Sequence, residues 1–233
     1  MDKTEFDKFA GKYGSMHAEN IRASGESPEF FAEYKVKDTL REARKCCLPE
    51  KISVLDFGTG IGQSIPFFLK YFPQAAITGI DVSKESISIA GQRFADDAEF
   101  RLFDGQKIPL PDDSYEIVFA ACVFHHIPAD QQPDLFKEIL RVLKPSGILM
   151  LFEHNPYNPL TVRAVNTCPF DENARLIKGR ALKGLVKASG LTSVNLTYRI
   201  FFPGWLRCFR PLESFLRWIP VGAQYYVCAK KMN

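Results

Sequence analysis

The sequence predicts an α/β fold: a doubly wound, mostly parallel sheet of seven strands. Three observations predict it. Short apolar runs alternate with helical stretches between Ile52 and Phe152. The first run ends in a glycine turn that opens a helix. After Phe152 the alternation lapses into a stretch holding Pro156, Pro159 and Pro169, and two further strands close the chain. Strands alternating with helices at this spacing imply parallel strand–helix–strand units.

The elements follow in order. A short helix is expected between Thr4 and Asn20. Ser27-Pro28-Glu29 reads as a cap, a proline at the first helical position and an acid in the first turn, so a helix should run from there to about Cys47. Strands are expected at Ile52–Leu55, Ala75–Ile80, Glu99–Phe103, Glu116–Ala121 and Gly147–Phe152. Helices are expected at Ile61–Phe72, Ser83–Phe94 and Asp130–Leu143. Glu153 to Asp171 reads as a long connection, and at a strand's C-terminal end such a connection is more often functional than idle. A helix over 172–188, a strand over 193–202, a helical segment over 204–218 and a strand over 223–229 complete the chain. We read a single domain over 1–233, with N-terminal helices at 1–48, a core at 49–153 and a substrate-facing part at 154–233.

Composition narrows the class. At 46% hydrophobic and 24% charged residues the chain is ordinary for a soluble globular protein. It has no apolar run near the ~18 residues that cross a bilayer, and its polar N-terminus does not resemble a secretory signal. The six cysteines include no C-x-x-C pair. Reduced thiols in the cytoplasm are therefore expected, rather than a disulfide framework or structural zinc. The net charge of +3 hides an asymmetry: from Arg175 onward there are eleven basic residues and one acid, Glu213, against 19 basic and 26 acidic residues before it. Such a tail either faces an anionic surface or packs against the acidic body.

The glycine turn reads Asp56-Phe57-Gly58-Thr59-Gly60-Ile61-Gly62-Gln63. A dinucleotide fingerprint needs a third glycine at 63, where the chain has Gln. Asp56, just before the turn, would repel an anion and suit a ligand carrying an ammonium and a sulfonium. Asp81 ends the next strand, at the crevice where doubly wound sheets bind ligands.

These residues resemble the class I S-adenosylmethionine-dependent methyltransferases, of the small bacterial type. The resemblance rests on Leu55 to Gly62, on Gly79-Ile80-Asp81-Val82-Ser83, on Phe103-Asp104-Gly105, on Tyr115 to Phe119 running into Phe124-His125-His126-Ile127, and on Leu143 to Leu149. It covers roughly residues 50 to 153. It implies a Rossmann-like sheet with an antiparallel last strand, N-terminal helices that act as a lid, and S-adenosylmethionine as cofactor. It further implies that Gly58, Gly60 and Gly62 admit the methionine part, with Asp56 near its ammonium. Asp81, beside Val82, would accept from the ribose hydroxyls, and Asp104 from the adenine amino group with Gly105 beside it. Ala121 would offer backbone near the methionine.

Candidate bases stand at the ends of the fourth and fifth strands: His125, His126, Glu153 and His154, of which His126 and His154 are the catalytic candidates. The same groups with Asn155 have the composition of a metal site. No acid follows the fourth strand, so no metal is expected. An Asp/Asn-Pro-Pro-aromatic turn, frequent in amino-directed enzymes, is missing after the fourth strand, as is a Pro-Cys nucleophile. Transfer to oxygen of a small or lipid-linked acceptor is therefore expected. Tyr13, His17, Tyr34 and Lys35 of the N-terminal helices are candidates for touching cofactor or substrate.

Trp205, Phe209, Leu212, Leu216 and Ile219 recur at helical spacing, with Pro211 expected to break the helix in two. This face either caps the sheet or meets an anionic membrane surface. No nucleic-acid-binding module is recognisable. The competing readings are a nicotinamide-dependent oxidoreductase, which Asp56 and Gln63 disfavour, and a non-catalytic protein that uses the fold to bind a cofactor or a membrane surface.

Overall fold

The computed structural model describes residues 19–171 and 173–232. The expected helix between Thr4 and Asn20, with Tyr13 and His17, lies almost wholly outside them, as does Glu172.

Helix α1 spans Pro28–Lys45, and the Ser27 hydroxyl accepts from the Phe30 N–H at 3.3 Å. This is the cap that Ser-Pro-Glu foretells. Then follow β1 (Ser53–Phe57), α2 (Ile65–Tyr71), β2 (Ala76–Asp81), α3 (Lys84–Phe94), β3 (Glu99–Leu102), β4 (Tyr115–Ala121), α4 (Gln132–Val142) and β5 (Leu143–His154). The C-terminal part contributes α5 (Pro159–Asn166), α6 (Gly179–Ala188), β6 (Thr192–Arg199), α7 (Glu213–Leu216) and β7 (Gln224–Lys230).

The seven strands form one sheet in the order β3-β2-β1-β4-β5-β7-β6. The first five strands pair in parallel, and β7 pairs antiparallel with both β5 and β6. This is the doubly wound sheet with an antiparallel last strand. Central strands are apolar on both faces because helices cover both. In β5, Leu149 and Leu151 pack on one side with Leu135, Phe136 and Ile139 of α4 and Leu182 and Val186 of α6. Met150 and Phe152 pack on the other with Phe31 and Tyr34 of α1 and Phe68 of α2.

Four expectations need correction. The helix expected from Ile61 begins at Ile65, because the glycine turn continues through Ser64. The stretch from Glu153 to Asp171 holds α5: Asn158 accepts from the Thr161 N–H at 3.0 Å and Pro159 takes the first helical position. That proline starts a helix instead of excluding one. The helix expected from 172 begins at Gly179, and the residues before it are drawn out toward the sheet, with the Arg175 N–H donating to the His125 carbonyl at 2.8 Å.

The fourth correction concerns 204–218. It forms 3-10 turns over Gly204–Leu212 and the short α7, a division that the lone Pro211 helps impose. Its apolar side chains do not cap the sheet: Trp205, Phe215 and Trp218 are each about three-quarters exposed. Glu213 is the buried residue instead, accepting the N–H groups of Phe201 and Phe202 at 2.9 and 3.1 Å.

Candidate active site

Strand order reverses between β1 and β4, so a crevice opens beyond their C-termini. The glycine turn leaves β1 there. The Gly58 and Thr59 N–H groups donate to the Ile80 carbonyl at 2.8 and 3.0 Å, tying the turn to β2. Gly58 has φ +74°, and a Cβ there would come within 2.5 Å of Val123 Cγ2. Only glycine meets both demands. Gly60 has φ +54°, and its missing Cβ faces open space. Gly62 packs against the Phe94 ring.

Asp81 holds this turn from the next strand. Its Oδ2 accepts the Gly60 N–H at 2.8 Å and its Oδ1 the Ser83 N–H at 2.9 Å. A carboxylate offers about four lone-pair sites, more than these two backbone donors. Asp56 is buried and accepts from the Thr59 hydroxyl at 2.9 Å and from the Ser64 hydroxyl. Burial pushes its carboxyl up to about 6, the two hydroxyl donors and Lys35 pull it back, and the Asp81 charge adds to the rise.

Nine of the eleven site residues expected from sequence line one cavity: Asp56, Gly58, Gly60, Asp81, Val82, Gly105, Ala121, His126 and His154. Gly62 and Asp104 do not. Asp104 is exposed, and its Oδ1 accepts the Gln106 and Lys107 N–H groups at 2.7 and 2.9 Å, which holds the turn bearing Gly105.

The opposite wall is made by residues distant in sequence. Lys35 Nζ of α1 lies 3.3 Å from Cys122 Sγ, just past β4. Tyr34 donates its hydroxyl proton to Gln224 Oε1 of β7. This orients the amide, whose Nε2 faces His154 Nδ1 at 3.3 Å. The Gln224 amide thereby donates to His154 Nδ1. Burial opposes ionisation of Cys122, but His154 and Lys35 outweigh it and bring the thiol down to about 7.

Behind the cavity stands a chain of four groups. Glu153 is fully buried; its Oε1 accepts the Val123 and Phe124 N–H groups at 3.1 and 2.7 Å, and its Oε2 meets His125 Nδ1 at 2.6 Å. Stacking of Phe124 on Phe136, with ring centroids 4.6 Å apart, anchors the same turn and is worth about 0.5–1.5 kcal/mol beyond its buried area. Asp171, on the 3-10 turn Pro169–Asp171, presents Oδ1 to His126 Nε2 at 3.3 Å and to His125 Nε2 at 3.6 Å. Burial works against a charged His125, yet the flanking Glu153 and Asp171 carboxylates raise it to about 10. Burial outweighs Asp171 at His126 and lowers it. Asp171 itself, though burial opposes its charge, is held well below the usual carboxylate range by both imidazoles. Asn155 takes no part in the cavity: its amide donates to the Gly222 and Pro220 carbonyls at 2.7 and 3.1 Å.

Sequence reasoning missed Asp171 and Gln224 as members of this site. Neither sits in a motif, and each arrives through tertiary packing. The Phe-Asp at 170–171, within a proline-rich connection at a strand end, was the one available signal for Asp171.

Comparison with known proteins fits this geometry. Residues 55–151 match the methyltransferase domain family. The chain is 27% identical to the ubiquinone/menaquinone biosynthesis C-methyltransferase UbiE of Desulfotalea psychrophila, over 65% of this chain and 57% of that protein. It is 34% identical to the 2-methyl-6-phytyl-1,4-hydroquinone methyltransferase of a Synechocystis species, over 46% of this chain and 34% of that protein. The chain thus spans less than two thirds of the length of each of these relatives. A methyltransferase structure from Thermotoga maritima superposes with a TM-score of 0.66 at 20% identity, covering 98% of this chain and 99% of that one. Over residues 55–151 the chain thus matches a methyltransferase domain, and its sheet has the fold of S-adenosylmethionine-dependent methyltransferases of solved structure.

Proposed function

We propose that this chain transfers a methyl group from S-adenosylmethionine to a hydroxyl of a lipid-linked acceptor, and that it does so at an anionic membrane surface. The residues fit the cofactor. The open space at Gly60 admits a ligand against the backbone, Asp81 can accept from ribose hydroxyls, and Asp56 is a carboxylate whose burial leaves it in need of a cation. When bound, the cofactor supplies an already activated methyl group. What remains for this chain is positioning and exclusion of water. The glycine turn and Asp81 hold the donor side, while Gly105 and Val82 wall it. The acceptor's proton passes to the imidazole of His126, which lines the cavity and whose charged form Asp171 Oδ1 at 3.3 Å would stabilise. His154, which lines the cavity, orients the acceptor by a hydrogen bond.

The observation that carries the acceptor class is an exposed aromatic surface beside this cavity. Trp205, Phe209, Leu212, Phe215 and Trp218 are all exposed. Their segment is fastened to the cavity wall from two sides. Gly204 packs on Gly25 and Arg210 pairs with Glu26, in the segment whose Ile21 and Pro28 line the cavity. Asn155 and Asn158 bind the carbonyls of Pro220, Val221 and Gly222, next to α5, whose Ala164 and Val165 also line it. Five exposed large apolar side chains on one segment suit an interaction site, and Trp and Phe beside basic residues suit a membrane interface. Arg207 is exposed in the same segment, and each basic residue near an anionic bilayer contributes about 1 kcal/mol.

Among the described residues no helix is long and apolar enough to cross a membrane, so the contact is a surface one. None of the six cysteines forms a disulfide, which supports the cytoplasmic side. Oxygen is the favoured acceptor atom because the turns that serve nitrogen and cytosine C5 transfer are missing after β4. Transfer to carbon is the second reading, favoured by the relative named as a ubiquinone/menaquinone biosynthesis C-methyltransferase.

The test is incubation with 13C-methyl-labelled S-adenosylmethionine and a bacterial total lipid extract. Label in the organic phase, bonded to oxygen by NMR, is the expected result. A carbon-bonded label would select the second reading, and label confined to water-soluble products would overturn the lipid-linked acceptor.

A further inference from the structure

The donor side of the cavity is accounted for by the cofactor. The chain of carboxylates and imidazoles behind the acceptor side is more than a proton acceptor needs. His125 Nε2 is buried, faces the cavity, and has no hydrogen-bond partner. A buried polar atom left in this state calls for an explanation.

We propose that His125, His126 and Asp171 bind a divalent metal ion, of which zinc is the best match. The proposal rests on methyl transfer at this cavity only for the ion's chemical role, not for its binding. Nε2 of His125, Nε2 of His126 and Oδ1 of Asp171 converge, with Asp171 Oδ1 3.3 Å from one imidazole nitrogen and 3.6 Å from the other. Three ligating atoms of these residues lie within 4.8 Å of one another. Tetrahedral zinc, with bonds of about 2.0–2.2 Å, holds neighbouring ligand atoms about 3.3–3.6 Å apart. At 3.6 Å the Asp171 oxygen is too far from His125 Nε2 for a hydrogen bond, but at the right separation for a shared ion.

The second partner of the site is also in place. Metal-bound histidines almost always give their other ring N–H to a carboxylate or carbonyl, which fixes the ring and raises its basicity. His125 Nδ1 is 2.6 Å from Glu153 Oε2, and Glu153 is itself fixed by the Val123 and Phe124 N–H groups. Glu153 thus holds a proton on Nδ1, and an incoming ion would displace the proton on Nε2 and take that nitrogen as its ligand. Two imidazoles and one carboxylate leave a fourth position, and all three residues line the cavity. That is the donor count of a catalytic rather than a structural zinc site. A zinc ion lowers the pKa of a bound water to about 7, and an acceptor hydroxyl at the open position would be activated in the same way. His126 would then be a ligand rather than a base, and the proton that the acceptor hydroxyl gives up would pass to solvent water. From sequence the acid of such a site is sought in the turn after β4, whereas Asp171 lies 45 residues after His126.

The test uses the full chain purified in chelator and dialysed. Zinc chloride is titrated by calorimetry, zinc content is measured by mass spectrometry, and S-adenosylhomocysteine is titrated into the same samples. The account expects one zinc per chain in the wild type. Asp171→Asn and His126→Gln should lose zinc by more than the about 10–100-fold expected for Glu153→Gln, whose residue only supports a ligand. S-adenosylhomocysteine affinity in His126→Gln should stay within a few-fold, showing that the variant is folded. Absence of stoichiometric zinc in the wild type would overturn the proposal, as would unchanged zinc affinity in both ligand variants. Zinc bound by a wild type that ignores S-adenosylhomocysteine would overturn the proposed function and leave the ion site standing.

Discussion

The two walls of the cavity are built in different ways. The donor wall is local: Asp56, the glycine turn and Asp81 lie within 26 residues, and their geometry is set by backbone. Positive φ at Gly58 and Gly60, two N–H groups on Ile80, and one carboxylate spanning Gly60 and Ser83 suffice. The acceptor wall is assembled from α1, the ends of β4 and β5, the 3-10 turn at Asp171 and β7, and its geometry is set by buried charge. Lys35, His125, Glu153, Asp171 and Gln224 meet only in the folded chain. Backbone-defined sites are shared across a superfamily, whereas side-chain networks of distant residues are where one member differs from another.

The largest expected effect separates the walls by stability. Glu153→Ala leaves His125 buried without its partner and strips two N–H groups of their acceptor. Breaking a buried pair costs about 3–5 kcal/mol, so urea denaturation should show a loss of this size. Asp104→Ala, at the exposed turn of the donor wall, should cost about 1 kcal/mol or less. Equal losses would erase the distinction between a wall held by buried charge and one held by backbone.

A smaller effect comes from pH. Asp56 sits at about 6 with Asp81, Lys35, Thr59 and Ser64 around it. Its folded-state value is raised above the ordinary carboxylate value, so the folded chain binds this proton more tightly than the unfolded chain. The associated stability is present at low pH and is lost as pH rises through about 4 to 6. Binding runs the other way. A cofactor ammonium favours the ionised carboxylate, so S-adenosylhomocysteine affinity should rise between pH 5 and 7, by up to about tenfold per unit below the carboxyl's pKa. Calorimetry across that range checks this, and Asp56→Asn should flatten the curve. An affinity that falls with pH would remove Asp56 from the ammonium's neighbourhood.

The same contrast explains what could be read from sequence. Strands and most helices of the core were legible because apolar periodicity and caps act within a few residues, as at Ser27-Pro28 and along β5. The donor wall was legible for the same reason. Pro159 misled because a proline that starts a helix looks like one that excludes it until Asn158 is seen to cap it. Trp205 to Ile219 misled because helical spacing does not say which way a face points, and the burial of Glu213 turned the aromatics outward. Asp171 and Gln224 carried no local pattern at all; the pairing of β7 with β5 and the drawn-out chain before α6 bring them in.

The central claim is that Asp81 and the glycine turn bind S-adenosylmethionine rather than a dinucleotide. Titration calorimetry of wild type and Asp81→Asn with S-adenosylhomocysteine and with NAD tests it most directly. Hydrogen bonds to a charged group are each worth about 1.5–3 kcal/mol. The account predicts that the wild type binds S-adenosylhomocysteine and not NAD, and that Asp81→Asn, still folded, binds it more than tenfold more weakly. Tighter binding of NAD, or an unchanged S-adenosylhomocysteine affinity in a folded Asp81→Asn, would contradict it.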